Sequence, residues 1–204
     1  MLARLKALFI SKPEPFGDMQ DFFSMLPEIQ TQRLILRMVK RKDAADIYQY
    51  AQDPEVAEHV LWDAHQSFSE SLAYVRYLRD QYRFGKPSSW VIVLKTTGRV
   101  IGTIGYTEWD EDNEILEIGY SLSKDYWNQG YMTEALHEVV RFSFENLPVH
   151  RLEAMHETTN PASGRVMEKC GMQREGLLKS RIWNKTHFSD VVIYGITRES
   201  YHHA

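Results

Sequence analysis

This 204-residue sequence predicts an α+β fold, a mixed and mostly antiparallel sheet of about seven strands with helices on both faces. Three observations predict it. The segments "SWVIVLK" (89–95), "VIGTIGYTEW" (100–109) and "EILEIGYSL" (114–122) read as strands joined by short polar turns, which makes an antiparallel meander. Beyond Met132 the apolar residues fall at helical spacing, and at 150–158 alternation returns. A strand, a helix and a strand in that order imply one parallel pair in the sheet. The last stretch, 177–198, reads as two strands joined by "NKTH".

Each element has a local reason. "RLILRMV" (33–39) is apolar at Leu34, Leu36 and Met38, the two-residue period of a strand. In 42–53, Ala45, Ile47, Tyr48 and Ala51 lie near helical spacing. The stretch 67–84 is a stronger helix: Ser67 can cap it, Glu70 completes a capping box, and Leu72, Val75, Tyr77, Leu78 and Tyr82 form its apolar side. Ala135, Leu136, Val139 and Val140 mark the next helix. In 160–171, Asn160 is a cap residue, Pro161 takes the first helical position and Gly171 ends the helix. Residues 11–30 hold three prolines and no sustained period, so an extended arm is expected there. The chain thus divides into an N-terminal extension (1–30) and one domain (31–204).

Composition narrows the function. Net charge is −4, from 24 Lys and Arg against 28 Asp and Glu, and gives no electrostatic reason to expect nucleic acid as the main partner. One cysteine, Cys170, allows no intrachain disulfide and fits a reducing, cytoplasmic location. No apolar run reaches the roughly 18 residues of a membrane span. The start, "MLARLKALFIS", has Leu2, Leu5, Leu8 and Phe9 able to share a helical face, and is expected to pack or extend rather than anchor in a membrane. His150 and His156, six apart on a strand, lie roughly 20 Å apart, so no metal spacing is present. Cys170, late in a helix, is expected in the core.

The stretch "DYWNQGYMTEAL" (125–136) turns a strand into a helix with a single glycine, Gly130. A helix start offers unpaired N–H groups and a positive dipole end, which bind phosphate without a glycine-rich sequence. The Walker and dinucleotide glycine patterns are both absent. A plain surface helix start is the alternative reading.

Together, "DYWNQGYMTEAL", "NPASGRVMEKCGMQREG", the opening "TQRLILR" and the closing "EGLLKSRIWNKTHFSDVVIYGITRESY" resemble the GNAT superfamily of N-acetyltransferases. They are most similar to its ribosomal-protein N-terminal (alanine or serine) acetyltransferase branch. The resemblance covers about residues 30 to 200. It implies acetyl transfer from acetyl-coenzyme A to a primary amine by direct attack, without a metal, with a protein N-terminal α-amine among the acceptors. It also implies a splayed parallel pair, with pantetheine along Ile118, Gly119 and Tyr120. The pyrophosphate would meet Trp127, Asn128, Gln129, Gly130, Tyr131, Met132 and Thr133. Asn160 would cap the second helix and contact the pantetheine arm.

This chain departs from the family's loop pattern at Trp127 and Met132. Met167 stands where many members have the tyrosine that protonates the departing thiolate, and a thioether has no proton to give. The resemblance moves that role to Ser163; an ordinary first-turn serine is the alternative. Glu117 takes the place of the family's base or water-holder, against a merely solvated strand carboxylate. Glu153 and Glu157 are weaker candidates, Glu157 being read as structural. Trp62 and His65 are candidates for the acceptor cleft, while Trp90, Trp109, Trp127, Trp183 and the Tyr74, Tyr77 and Tyr82 stripe are read mainly as packing. An α-amine titrates near ~7.7–8.0 and a lysine near ~10.4, so an N-terminal acceptor costs about 3.5 kcal/mol less to deprotonate. Small-molecule amine acetylation and a non-catalytic acyl-CoA-binding module are the rival functions, and a monomer or homodimer both fit.

Overall fold

A computed structural model describes residues 18–202. The segment with Leu2, Leu5, Leu8 and Phe9 lies outside the described residues. The described chain begins with helix α1 (Met19–Ser24) and strands β1 (Ile29–Gln30) and β2 (Leu34–Arg37). Helices α2 (Ala44–Ala51), α3 (Pro54–Ala57) and α4 (Phe68–Arg83) follow. The meander is β3 (Ser89–Leu94), β4 (Val100–Asp110) and β5 (Ile115–Leu122). Helix α5 (Tyr131–Asn146), strand β6 (Arg151–Glu157) and helix α6 (Pro161–Lys169) come next. Strands β7 (Gln173–Asn184) and β8 (His187–Thr197) and helix α7 (Arg198–His202) complete the described chain.

One eight-stranded sheet has the order β1-β2-β3-β4-β5-β6-β8-β7, antiparallel except for β5 with β6. All seven expected strands form, and the two-residue β1 is the addition. Alternation along each strand sends its side chains to opposite faces. Ile104 and Tyr106 of β4 are buried, and the Tyr106 hydroxyl meets Ser143 of α5 at 2.6 Å. On the other face, Thr103 and Ser121 stand under Tyr50 of α2 and Tyr74 of α4. Helices therefore cover both faces.

Two local expectations change. The arm expected over 11–30 is, from residue 18 onward, a helix and a strand in the core. Asp18 caps α1 by accepting the Gln20 N–H at 2.7 Å, and Phe22 and Phe23 are fully buried. The capping box on α4 does not form, since the Ser67 side chain accepts no helical N–H. Ser67 does donate to Glu70 Oε1 (3.2 Å), but Glu70 Oε2 accepts the N–H of Gln66 rather than that of Ser67. The terminus of α6 is as expected, with the Asn160 side chain accepting from the Ser163 N–H at 3.3 Å and Gly171 at φ +84°.

Candidate active site

The parallel pairing of β5 and β6 lasts three positions, Ile115 with Arg151, Leu116 with Leu152 and Glu117 with Glu153. Beyond them β5 stays bonded only to β4, and β6 only to β8. The two strands diverge, and the gap opens into a cleft of about 710 Å³. Unpaired strand edges offer backbone groups to an extended ligand arm.

One end of the cleft is the start of α5. Asn128 (φ +58°) and Gly130 (φ +78°) are both left-handed, which turns the chain sharply into the helix. The first backbone N–H of α5 to find a helical acceptor is that of Glu134, on Gly130 O at 3.0 Å, so the N–H groups before it are free for a ligand. Arg33, in the "TQRLILR" motif, braces this turn from behind. It donates to Gln129 O (3.0 Å) and Glu134 Oε2 (2.6 Å) and lies 4.1 Å over the Tyr131 ring.

Glu134 also accepts from the Thr31 hydroxyl at 2.5 Å and the Arg33 N–H at 2.7 Å. Burial pushes its carboxyl up, but these bonds outweigh that and hold it below the usual carboxylate range. A depressed folded pKa gives stability that is complete above the unfolded value of 4.5 and is lost as pH falls through the folded value. Glu134→Gln is expected to lower stability by about 1.5 kcal/mol and to flatten that acid-side decline, read by thermal melts from pH 7 down to 3.

At the middle of the cleft, Tyr120 of β5 reaches the first turn of α6. Its hydroxyl lies 2.8 Å from Ser163 Oγ and 3.1 Å from Ser163 O. Burial raises the phenol's pKa, opposed by the bond to Ser163, so Tyr120 stays protonated. Met167 is buried in the core and takes no part in the cleft.

On the face of β5 opposite Tyr120 lies Glu117, accepting from the Thr107 hydroxyl at 2.6 Å. It lines both the main cleft and a smaller recess of about 160 Å³. Elsewhere on the cleft wall, His59 Nδ1 sits 3.1 Å from Glu157 Oε2.

The structure brings Glu117, Ile118, Gly119, Tyr120, Trp127, Asn128, Gly130, Tyr131, Met132, Thr133, Asn160 and Ser163 to the cleft wall. Gln129 is not on that wall: its side chain donates to Asp125 O and its carbonyl faces Arg33. Trp62 lines the cleft, whereas His65 packs behind it against Ser71 at 2.7 Å. Tyr74, Tyr77 and Trp127 line the cleft rather than only packing. Sequence reasoning missed Arg165 and Lys169, cations on the α6 side of the cleft, and the partnership of His59 with Glu157. Cys170 is buried and its thiol is pushed up to about 12 by that burial, an inert state. Among the described residues no three His, Cys, Asp or Glu side chains cluster as a metal site, and no helix is long and apolar enough to cross a membrane.

A strand pair that splays beside a helix start defines an acetyltransferase architecture. The GNAT acetyltransferase domain model matches residues 33–173, and the chain belongs to that family. It is 30% identical to p20 of Bacillus licheniformis, described as an uncharacterized N-acetyltransferase, over 85% of this chain and 97% of that one. A GNAT-family acetyltransferase from Bacillus anthracis superposes with a TM-score of 0.76 at 25% identity, covering 85% of this chain and 99% of that one. RimL, a ribosomal L7/L12 α-N-protein acetyltransferase solved with coenzyme A, shares the fold with a TM-score of 0.73 at 18% identity, over 84% of this chain and 98% of its own. The chain is thus a GNAT-type N-acetyltransferase.

Proposed function

We propose that this enzyme transfers the acetyl group of acetyl-coenzyme A to the α-amine of a polypeptide N-terminus. The observation that carries the reading is the divergence of β5 from β6 after Glu117 and Glu153. It opens a cleft lined both by the start of α5 and by the carboxylates Glu55, Glu58, Glu117 and Glu157. In this reading the N–H groups at the start of α5 hold the pyrophosphate, with Arg165 and Lys169 adding positive charge. The pantetheine arm lies along Ile118, Gly119 and Tyr120, near Asn160. RimL, an α-N-protein acetyltransferase, supplies the precedent for the acceptor.

The chemistry is a direct displacement. The amine lone pair attacks the thioester carbonyl carbon, the C–N bond forms, and the C–S bond breaks with its electrons on sulfur. Ser163 donates toward that sulfur, and Tyr120 backs it through the hydroxyl–hydroxyl bond. Glu117 orients the attacking amine or the water beside it, and Glu117→Gln is expected to lower kcat about 10-fold with little change in acetyl-CoA affinity. The test of the function is free-CoA release across peptides with different first residues, set against diamines and aminoglycosides. Release with peptides alone supports the reading. Release only with polycations favours a small-molecule amine acetyltransferase, whose specific support is Glu55, Glu58, Glu117 and Glu157 on the cleft wall. Acetyl-CoA binding without release from any amine identifies a non-catalytic acyl-CoA module.

A further inference from the structure

Glu157 is the most firmly held carboxylate on the acceptor side of the cleft. One oxygen accepts from Asn184 Nδ2 at 2.8 Å and the other meets His59 Nδ1 at 3.1 Å. Its side chain is 11% exposed and that of His59 is 23% exposed. Burial pushes the carboxyl up, but bonds from Ser189, Asn184 and His59 outweigh it and keep the group below the usual carboxylate range. An ionised carboxylate only accepts hydrogen bonds. The shared proton therefore belongs to His59 Nδ1, which leaves Nε2 with its lone pair in the neutral ring. Glu58 Oε2 lies 3.9 Å from Nε2, beyond hydrogen-bond range.

The segment that carries His59 is pinned in place. Lys185 Nζ donates to Ala57 O at 2.6 Å and Asn184 Nδ2 to Glu58 O at 3.3 Å. Asn184 is 3% exposed, so one buried amide bridges the His59 segment and the Glu157 carboxylate. His59 and Glu157 both line the cleft that holds Tyr120, Ser163 and Glu117. Such a carboxylate–imidazole pair, with the far nitrogen free, is the arrangement by which a histidine accepts a proton at neutral pH.

We propose that His59 is the base that takes the acceptor amine's proton, positioned by Glu157; the assignment rests on the acetyl-transfer reading above. As the amine attacks, its N–H proton moves to His59 Nε2. The imidazolium forms between the carboxylates of Glu157 and Glu58 and returns the proton to solvent after product leaves. The thiolate is served separately, from the Tyr120–Ser163 side. Among the described residues, the charged or titratable groups around His59 are Glu55 and Glu58 of its own segment, Lys124 paired to Glu55, and Glu117 of β5. The others are His156 and Glu157 of β6, Arg165 of α6 and Lys185 of the β7–β8 turn.

The experiment is a pH–rate profile of free-CoA release for the wild type, His59→Gln and Glu157→Gln. All three use the same acceptor, the best one in the peptide and amine panel, so its own titration is common to them. His59→Gln is expected to lower kcat at least 30-fold at pH 7, to change the acid limb and to leave acetyl-CoA Kd within about twofold by calorimetry. Glu157→Gln is expected to keep much of the activity but move the acid limb to lower pH, since the imidazolium loses its carboxylate. A purely packing role for Glu157 predicts no such movement. His59→Gln within threefold of wild type, or with an unchanged profile, overturns the assignment while the acetyl-transfer reading stands. No release by the wild type from any amine overturns that reading, and this assignment with it.

Discussion

Combining Ser163→Ala with Tyr120→Phe is expected to lower kcat by about 100- to 1,000-fold, with acetyl-CoA affinity changed less than threefold. The two hydroxyls sit 2.8 Å apart at the middle of the cleft. With Tyr120 as the donor, Ser163 Oγ accepts. Ser163 can then aim its own hydrogen into the cleft, toward the thioester sulfur of the proposed reaction. A donor placed in advance at that point stabilises the transition state more than the ground state. The loss should therefore fall on kcat and spare binding. The hydroxyls act in series, so their effects should not multiply. Ser163→Ala alone should cost nearly as much as the double change, and Tyr120→Phe alone about 10-fold less than that. The measurement is single-turnover CoA release at saturating acetyl-CoA. Full multiplication of the single effects indicates two independent groups, and unchanged turnover removes the pair from the reaction.

The same pair marks where the sequence could be read and where it could not. The helix that carries Ser163 was legible in "NPASGRVMEKCG", because caps and glycine termini act over three or four residues, whereas the role given to Ser163 came from the family resemblance. Tyr120 was placed on the right strand and given only a binding role. Its bond to Ser163 spans 43 positions, and nothing local encodes it. The meander was legible for the reason the caps were: a two-residue period and short turns are local signals. His59 and Glu157 are 98 positions apart, and each looks like an isolated polar residue until the β7–β8 turn brings Asn184 between them. Arg33 shows a third case. Its motif was noticed, yet its work, holding the carbonyl of Gln129 and the carboxylate of Glu134, depends on a helix about a hundred residues later. The side chain of Gln129 lies off the cleft wall, because a side chain in a turn can point either way and the Asp125 carbonyl holds it there.

Helix α1 was the element least visible in the sequence, and Phe22→Ala is expected to show how much depends on it. Six residues between proline-containing stretches carry too little periodicity to declare a helix. The reason it forms is tertiary. The Phe22 ring lies 5.9 Å from both Tyr106 of β4 and Phe142 of α5, and 6.3 Å from Trp90 of β3. Phe23 adds a contact with Tyr106 at 6.1 Å, and the Trp90 indole N–H donates to Pro27 O at 2.7 Å. These rings bridge the sheet and helix α5, whose start lines the cleft. Truncating Phe22 removes a fully buried side chain and leaves a void that rigid aromatic neighbours fill poorly, at a cost of about 3–5 kcal/mol. For a domain of this size that corresponds to a Tm fall of roughly 6–20 °C. Phe22→Leu, which keeps most of the volume, should lose much less. A Tm within 2 °C of wild type for Phe22→Ala would show that residues 18–30 rest on the domain rather than complete its core.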